Sequence, residues 1–439
     1  MIALLLTTHA LAFDQAKVCF RHDVDYTDQS TQLNDDYLNV DGPTPAWGAR
    51  AKVICTDCGS SDVLVWDGYL SDNQAEACKT LPLTTGTPAA GEVSTQHTYR
   101  LKLVTEHEVN GHHIVVEKEV GSAWVKGVAT KNNVTFPAPT LLEPVPVVTM
   151  KAGVHDGFNV AQVAAWVFRQ YGNEIPVDSS HSYRLRLPAY VYGATSQTID
   201  GIVYLGPAAD RDKRFVIAHE LGHAIHWRPA DDAAPSGAAG LSWWNYTAAE
   251  GGCGHGQTSA HFWESREYHS AAYVEGFANF IAALAFNDPD DNEAEVYYNS
   301  SFGIDWNYDG GVGSLADVAD KIHSTKDDPS NPWYASYTNW DHLATGISLN
   351  NGCTASHANA ATEYDYTRMF WDLYQRSTVD LGDLLDVQYY ATPTGWPDES
   401  VTTDPTNIYH PVQRLRQAAT SAGIGTEWLI ESVVHGAAE

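Results

Sequence analysis

Between Phe215 and Trp227 the chain reads Phe-Val-Ile-Ala-His219-Glu220-Leu-Gly-His223-Ala-Ile-His226-Trp. Two histidines four residues apart share one side of an α-helix, because at 3.6 residues per turn they are displaced by only about 40°. Two imidazoles so placed can grip one ion. A zinc ion takes a third protein ligand and keeps an open position at which a bound water loses its proton near neutral pH, and Glu220 stands beside His219 to receive that proton. The flanks Val216, Ile217, Ala218, Leu221, Ala224 and Ile225 are apolar, and a strand-like segment ending at Gly206-Pro207 leads in. Types and spacing together point to metal-assisted hydrolysis; the bland alternative is a buried helix whose histidines only form hydrogen bonds.

A third ligand must come from elsewhere. Tyr273 to Leu284 reads as a second helix, apolar on most sides, with Glu275 inside it. A carboxylate is costly to bury without a cation, and a metal supplies one. His255, His261, Glu264 and His269 are rival donors. His226 shares the face of the pair but sits about 7.5 Å along the axis from its midpoint, beyond reach of the same ion, and is expected to line the cleft. The longer pattern HExxHxxGxxH fails, since His226 and Pro229 occupy its last two defined positions.

His-Glu-Leu-Gly-His at 219–223 followed by a Glu-bearing helix resembles the gluzincin metallopeptidases, the thermolysin-like branch of the zincins. The resemblance implies zinc held by His219, His223 and Glu275, Glu220 as general base, and endopeptidase action on a protein or peptide substrate. The family's Glu-x-x-x-Asp becomes Glu275-Gly-Phe-Ala-Asn279, in which Asn279 can still accept a hydrogen bond from a ligand histidine but brings no charge to it. His223 and Glu275 lie 52 positions apart, wider than in the thermolysin-like proteins, so an insertion from about Arg228 to Ser265 is expected. Its Gly251 to Gly256 run forms either a lid that shapes specificity or an ordinary surface loop. Hydrolysis also needs a donor for the developing oxyanion, for which Tyr268, Tyr273, His342 and Tyr366 are unranked candidates.

The elements that must carry this site divide the chain. Residues 13–136 read as strands and turns, among them Ala51–Cys55, Asp62–Trp66, Thr98–Val104 and His113–Glu117, with Asn110-Gly111 a hairpin signal between the last two. An all-β sandwich is expected there, and Pro45 to Val53 weakly resembles transthyretin-like domains. Pro137, Pro139, Pro144 and Pro146 mark a stiff linker over 137–149. From 150 to 439 an α+β zincin-like domain is expected, its upper half at about 150–290 and a mostly helical lower half at about 291–439. Phe158–Tyr171 carries an apolar stripe, Tyr183–Leu187, Ala189–Tyr192 and Gly201–Leu205 read as strands, and Tyr366–Tyr374 and His410–Ala419 read as helices. Ala189 to Gly193 looks like the family's edge strand, on which an extended peptide could pair.

Composition bounds the partners. With 25 basic and 55 acidic residues in 439, a formal charge of −30, nucleic acid would be repelled. No run approaches the roughly 18 apolar residues of a membrane span. Residues 1–12 are apolar and end in Ala-x-Ala, an export signal, though shorter than the usual range of about 15–30, so a truncated signal or an upstream start is expected. Six cysteines in an exported chain favour disulfides within two groups, Cys19, Cys55, Cys58 and Cys78 in one, Cys253 and Cys353 in the other. Cys55-Thr-Asp-Cys58 could alternatively be a redox or metal pair. Asp305, Asn307 and Asp309 resemble the first half of a calcium loop, but position twelve is Ala316 rather than Glu, so an Asx-rich turn is the alternative. A secreted zinc peptidase is therefore the leading expectation. Its rival is an exported surface or adhesive protein with a structural or silent zinc site; oligomeric state is undetermined.

Overall fold

The computed structural model describes residues 14–26, 41–72, 76–178, 181–189, 196–199, 201–206, 210–233, 267–286, 295–297, 319–321, 360–361, 363–391 and 410–434. The segment 1–12, Cys253, Cys353, His255, His261, Glu264, His342 and the calcium-loop positions Asp305, Asn307 and Asp309 lie outside these residues, as do the side chains of Tyr268 and His269.

The first half is rich in sheet and the second in helix. Among the described residues eleven strands come first: β1 (Gln15–Asp25), β2 (Asp41–Pro45), β3 (Ala49–Cys55), β4 (Val63–Tyr69), β5 (Cys78–Thr84), β6 (Val93–Ser94), β7 (Thr98–Val109), β8 (His112–Val120), β9 (Ala123–Lys126), β10 (Val128–Thr135) and β11 (Val147–Ala152). Helix α1 (Asp156–Tyr171) follows, then β12 (Tyr183–Leu187), β13 (Gln197–Ile199) and β14 (Ile202–Tyr204). The remaining helices among the described residues are α2 (Arg214–Ala233), α3 (His269–Phe286), α4 (Glu363–Tyr374), α5 (Leu381–Ala391), α6 (His410–Ser421) and α7 (Gly425–Val434).

Strand β3 shows why these segments are strands: Ala49, Ala51, Val53 and Cys55 point inward and alternate with half-buried Arg50, Lys52 and Ile54. A five-stranded sheet runs β11-β1-β5-β6 with β2 against β1, and a nine-stranded sheet runs β13-β14-β12-β8-β7-β3-β4 with β9 and β10 beside β8 and β7. Both sheets feed one core, Val18 and Phe20 from β1 meeting Val53, Leu101 and Leu103 from the larger sheet. Asn110 and Gly111 form the two-residue turn between β7 and β8, both with positive φ (46° and 82°), the twist that lets the strands continue as a hairpin. Cys19 is bonded to Cys78, across the β1–β5 pair, and Cys55 to Cys58.

The proline-rich stretch is irregular up to Pro146, after which β11 pairs in parallel with β1. On its far side β12 pairs in parallel with β8, Leu185 opposite Val116, so one sheet includes strands from both sides of the stretch. Helix α1 makes this crossover and is buried at every position from Gly157 to Phe168. The apolar stripe of Val160, Val163, Ala164, Val167 and Phe168 thus accounts for one side only. The other side meets α3, where the Trp166 indole donates to the Ala285 carbonyl (2.6 Å) and the Tyr171 hydroxyl to that of Leu284 (2.7 Å).

Candidate metal centre

Helix α2 is held in place by Phe215, Ile217, Ala218, Leu221, Ala224 and Ile225, all essentially inaccessible. Burying such side chains contributes on the order of 1–3 kcal/mol each and fixes the rotation of the helix about its axis. Arg211, just before it, donates to the carbonyls of Pro188, Leu205 and Gly206 and ties the ends of β12 and β14 to the start of α2. Gly222 brings α3 close. A Cβ on Gly222 would lie 2.8 Å from the Ala278 Cα and 3.2 Å from the Ile281 Cβ, so the two helices touch at backbone distance.

That close approach carries Glu275 to the histidines. His219 Nε2 and His223 Nε2 are 3.1 Å apart, and Glu275 Oε2 is 3.3 Å from the first and 3.2 Å from the second. The triangle is nearly equilateral. An ion with bonds of about 2.0–2.1 Å in tetrahedral geometry separates its ligand atoms by about 3.3–3.4 Å, so these three atoms fit zinc to within about 0.3 Å. His219 Nδ1 lies 2.7 Å from Asn279 Oδ1, an oxygen that only accepts, so a proton on Nδ1 completes this bond and leaves Nε2 for the side of the Glu275 oxygen. Two imidazole nitrogens converging on an acid that is 2% exposed suit a cation at their centre.

The structure thus brings together His219, His223, Glu275 and Asn279. Glu220 is buried beside them, with Oε2 2.9 Å from the Thr198 hydroxyl. Burial pushes its carboxyl above the usual carboxylate range, against the opposite pull of His219, His223 and the Thr198 hydrogen bond. A carboxylate whose proton affinity is raised is better matched to accepting a proton near neutral pH.

The expectation for His226 comes out differently. His226 does not line a cleft: it is 5% exposed, with its ring against Tyr273 and Phe277 (centroids 5.3 and 5.0 Å) and a hydrogen bond to Gln388. Burial, with a smaller contribution from His223, lowers its pKa to about 3, so it is a neutral core residue. Tyr273 and Tyr366 are buried in an aromatic cluster with Phe370 and Trp428, and burial alone raises the Tyr273 phenol. Among the described residues the larger sheet ends at β13, antiparallel to β14; of the expected edge segment only Ala189 is among them. The turn after β13 presses on α2, where a Cβ on Gly201 (φ +67°) would meet the Trp227 ring at 2.9 Å.

The sequence reading passed over Thr198 and Gly222. Gly222 carried a signal, since a glycine within an otherwise apolar helix marks close packing. Thr198 carried none. It lies in Ser-Gln-Thr-Ile, too short and polar to show alternation.

No family model matches the chain, and no curated protein matches its sequence.

Proposed function

We propose that the protein is an exported zinc metallopeptidase of the gluzincin type, cleaving peptide bonds within protein substrates. The observation that carries this reading is the triangle of His219 Nε2, His223 Nε2 and Glu275 Oε2, with edges of 3.1–3.3 Å, beside a buried glutamate. His219, His223 and Glu275 would hold zinc, and Asn279 keeps His219 in the tautomer that presents Nε2. Zinc, when bound, supplies Lewis acidity that polarises a carbonyl and lowers the pKa of water toward about 7.

Glu220 takes one proton from the attacking water as the water oxygen bonds to the peptide carbonyl carbon. When the carbon–nitrogen bond breaks, Glu220 returns that proton to the departing amine, so the carboxylate is regenerated. Two features support a peptide substrate: β13 is the outermost strand of its sheet among the described residues and adjoins Glu220, and an outer strand offers main-chain groups to an extended chain. Two disulfides, Cys19–Cys78 and Cys55–Cys58, support an oxidising compartment. Among the described residues no helix is long and apolar enough to cross a membrane.

The test is direct. Purified protein is expected to contain one zinc per chain and to cleave casein until a chelator removes the metal, and Glu220→Gln should keep the zinc and lose the cleavage. Zinc that stays bound with no cleavage of any peptide substrate would favour the surface-binding alternative, and full activity in Glu220→Gln would remove Glu220 as the base.

A further inference from the structure

Glu220 is held from outside its own helix, and the contact comes from the sheet edge. The Thr198 hydroxyl lies 2.9 Å from Glu220 Oε2 and 2.9 Å from the Glu220 main-chain oxygen. The hydroxyl has one proton, which it donates to the ionised carboxyl or to the carbonyl, and either way its oxygen sits against both oxygens of the same residue. Glutamate has three side-chain torsions to restrain, and an exposed one samples several rotamers. Here α2 fixes the backbone, burial restricts the space, and Thr198 ties down the terminal oxygen.

Thr198 is itself held firmly. It pairs with Val203 in the β13–β14 hairpin, Val203 is fully buried, and the turn at Gly201 leans on Trp227 of α2. The β-branched side chain has few rotamers open to it in a strand. Two contacts from one short hairpin, Thr198 to Glu220 and Gly201 to Trp227, therefore lie seven residues apart along α2, about two turns. The hairpin runs alongside the helix as a brace.

We propose that Thr198 is a positioning residue for Glu220: its hydroxyl aims the carboxyl at the place where the water must be deprotonated. The inference rests on the peptidase reading for its kinetic consequence, and on geometry alone for its structural one. It also links two parts of the site. The strand that offers its outer edge to a peptide also carries the group that orients the base, so a displaced β13 would misplace both substrate and base.

The experiment uses the whole protein and two substitutions. Thr198→Val keeps the branched shape and removes the hydroxyl, and Thr198→Ser keeps the hydroxyl and removes a methyl. Misplacing a reacting group by about 1 Å costs up to roughly 100-fold, so kcat is expected to fall about 10- to 100-fold in Thr198→Val, with KM changed less than about twofold. Thr198→Ser should recover most of that loss. Zinc content should be equal in all three proteins, and crystals of Thr198→Val should show the Glu220 carboxyl in a different rotamer. A merely structural tie would lower thermal stability and leave the rotamer and kcat in place; that result, or equal losses for Ser and Val, overturns the proposal. If the parent protein cleaves no peptide but the carboxyl still moves in Thr198→Val, the positioning contact stands and the peptidase reading falls.

Discussion

Replacing Gly222 by alanine adds one methyl where α2 and α3 come closest, and the structure sets the size of the consequence. The new Cβ would lie 2.8 Å from the Ala278 Cα and 3.1 Å from its carbonyl oxygen, where ordinary contact begins at 3.4 Å. The shortfall is 0.6 Å at a main-chain atom of a buried helix, so no side-chain rotation relieves it. The helices must part by about that much. Glu275 sits one turn before Ala278 and moves with it, so edges of 3.2 and 3.3 Å widen to about 3.8–3.9 Å, beyond what a tetrahedral ion spans. Overpacking costs about 1–3 kcal/mol and the better helix propensity of alanine returns up to about 1 kcal/mol, leaving a net loss on the order of 1 kcal/mol. Zinc affinity should fall about tenfold or more, because distorting the shell of a metal site by one supporting contact costs about 10–100-fold. Competition against a chelator measures the affinity and urea unfolding the stability. Gly153→Ala, with nothing within 4 Å of the added carbon, is the control and should change neither. Parental zinc affinity in Gly222→Ala would refute the claim that backbone contact between α2 and α3 sets the site.

Asn279→Ala should lower zinc affinity about 10- to 100-fold by freeing the His219 ring to turn and change tautomer, whereas Asn279→Asp should retain the contact and bind at least as tightly; chelator competition on the three proteins decides this. A separate pH effect belongs to the core of the sheet-rich half. His22 and His107 are fully buried, and burial, aided for His22 by His107, lowers their pKa values to about 3 and about 4. Both are neutral when folded, while the unfolded chain takes up protons below about 6.5, so stability should fall by several kcal/mol as pH drops from about 6.5 toward 4. Urea midpoints from pH 7 to 5 measure the slope, and His22→Phe, which keeps a ring stacked on Phe158, should flatten it. A midpoint independent of pH over that range would contradict the burial of these rings.

What was legible in the sequence is what local spacing dictates. Positions 219 and 223 share a helical face whatever surrounds them, and Asn110-Gly111 dictates a hairpin because both residues tolerate positive φ. Glu275 was legible for a different reason, as an acid in a helix too apolar to face water, which must meet something positive. His226 misled because helical position says which way a ring starts and not what packs over it: α3 and α5 cover that side and leave the ring among Tyr273, Phe277 and Gln388. The place of β13 at the end of its sheet among the described residues was not legible, because an edge lies where pairing stops, which no run of residues states about itself.

The same limit hid the link between β8 and β12. Each strand reads as β on its own, but their parallel pairing depends on α1 crossing between them, and partner choice in a parallel pair leaves no turn signature. This pairing makes α2 rest on a sheet that begins in the first half of the chain. Ile114 and Val116 of β8 share a core with Phe215 and Leu221 of α2, so the strands before the proline-rich stretch help to set the orientation of His219 and His223. The site is thus built from short contacts made by distant segments: Gly222 on Ala278, Asn279 on His219 and Thr198 on Glu220.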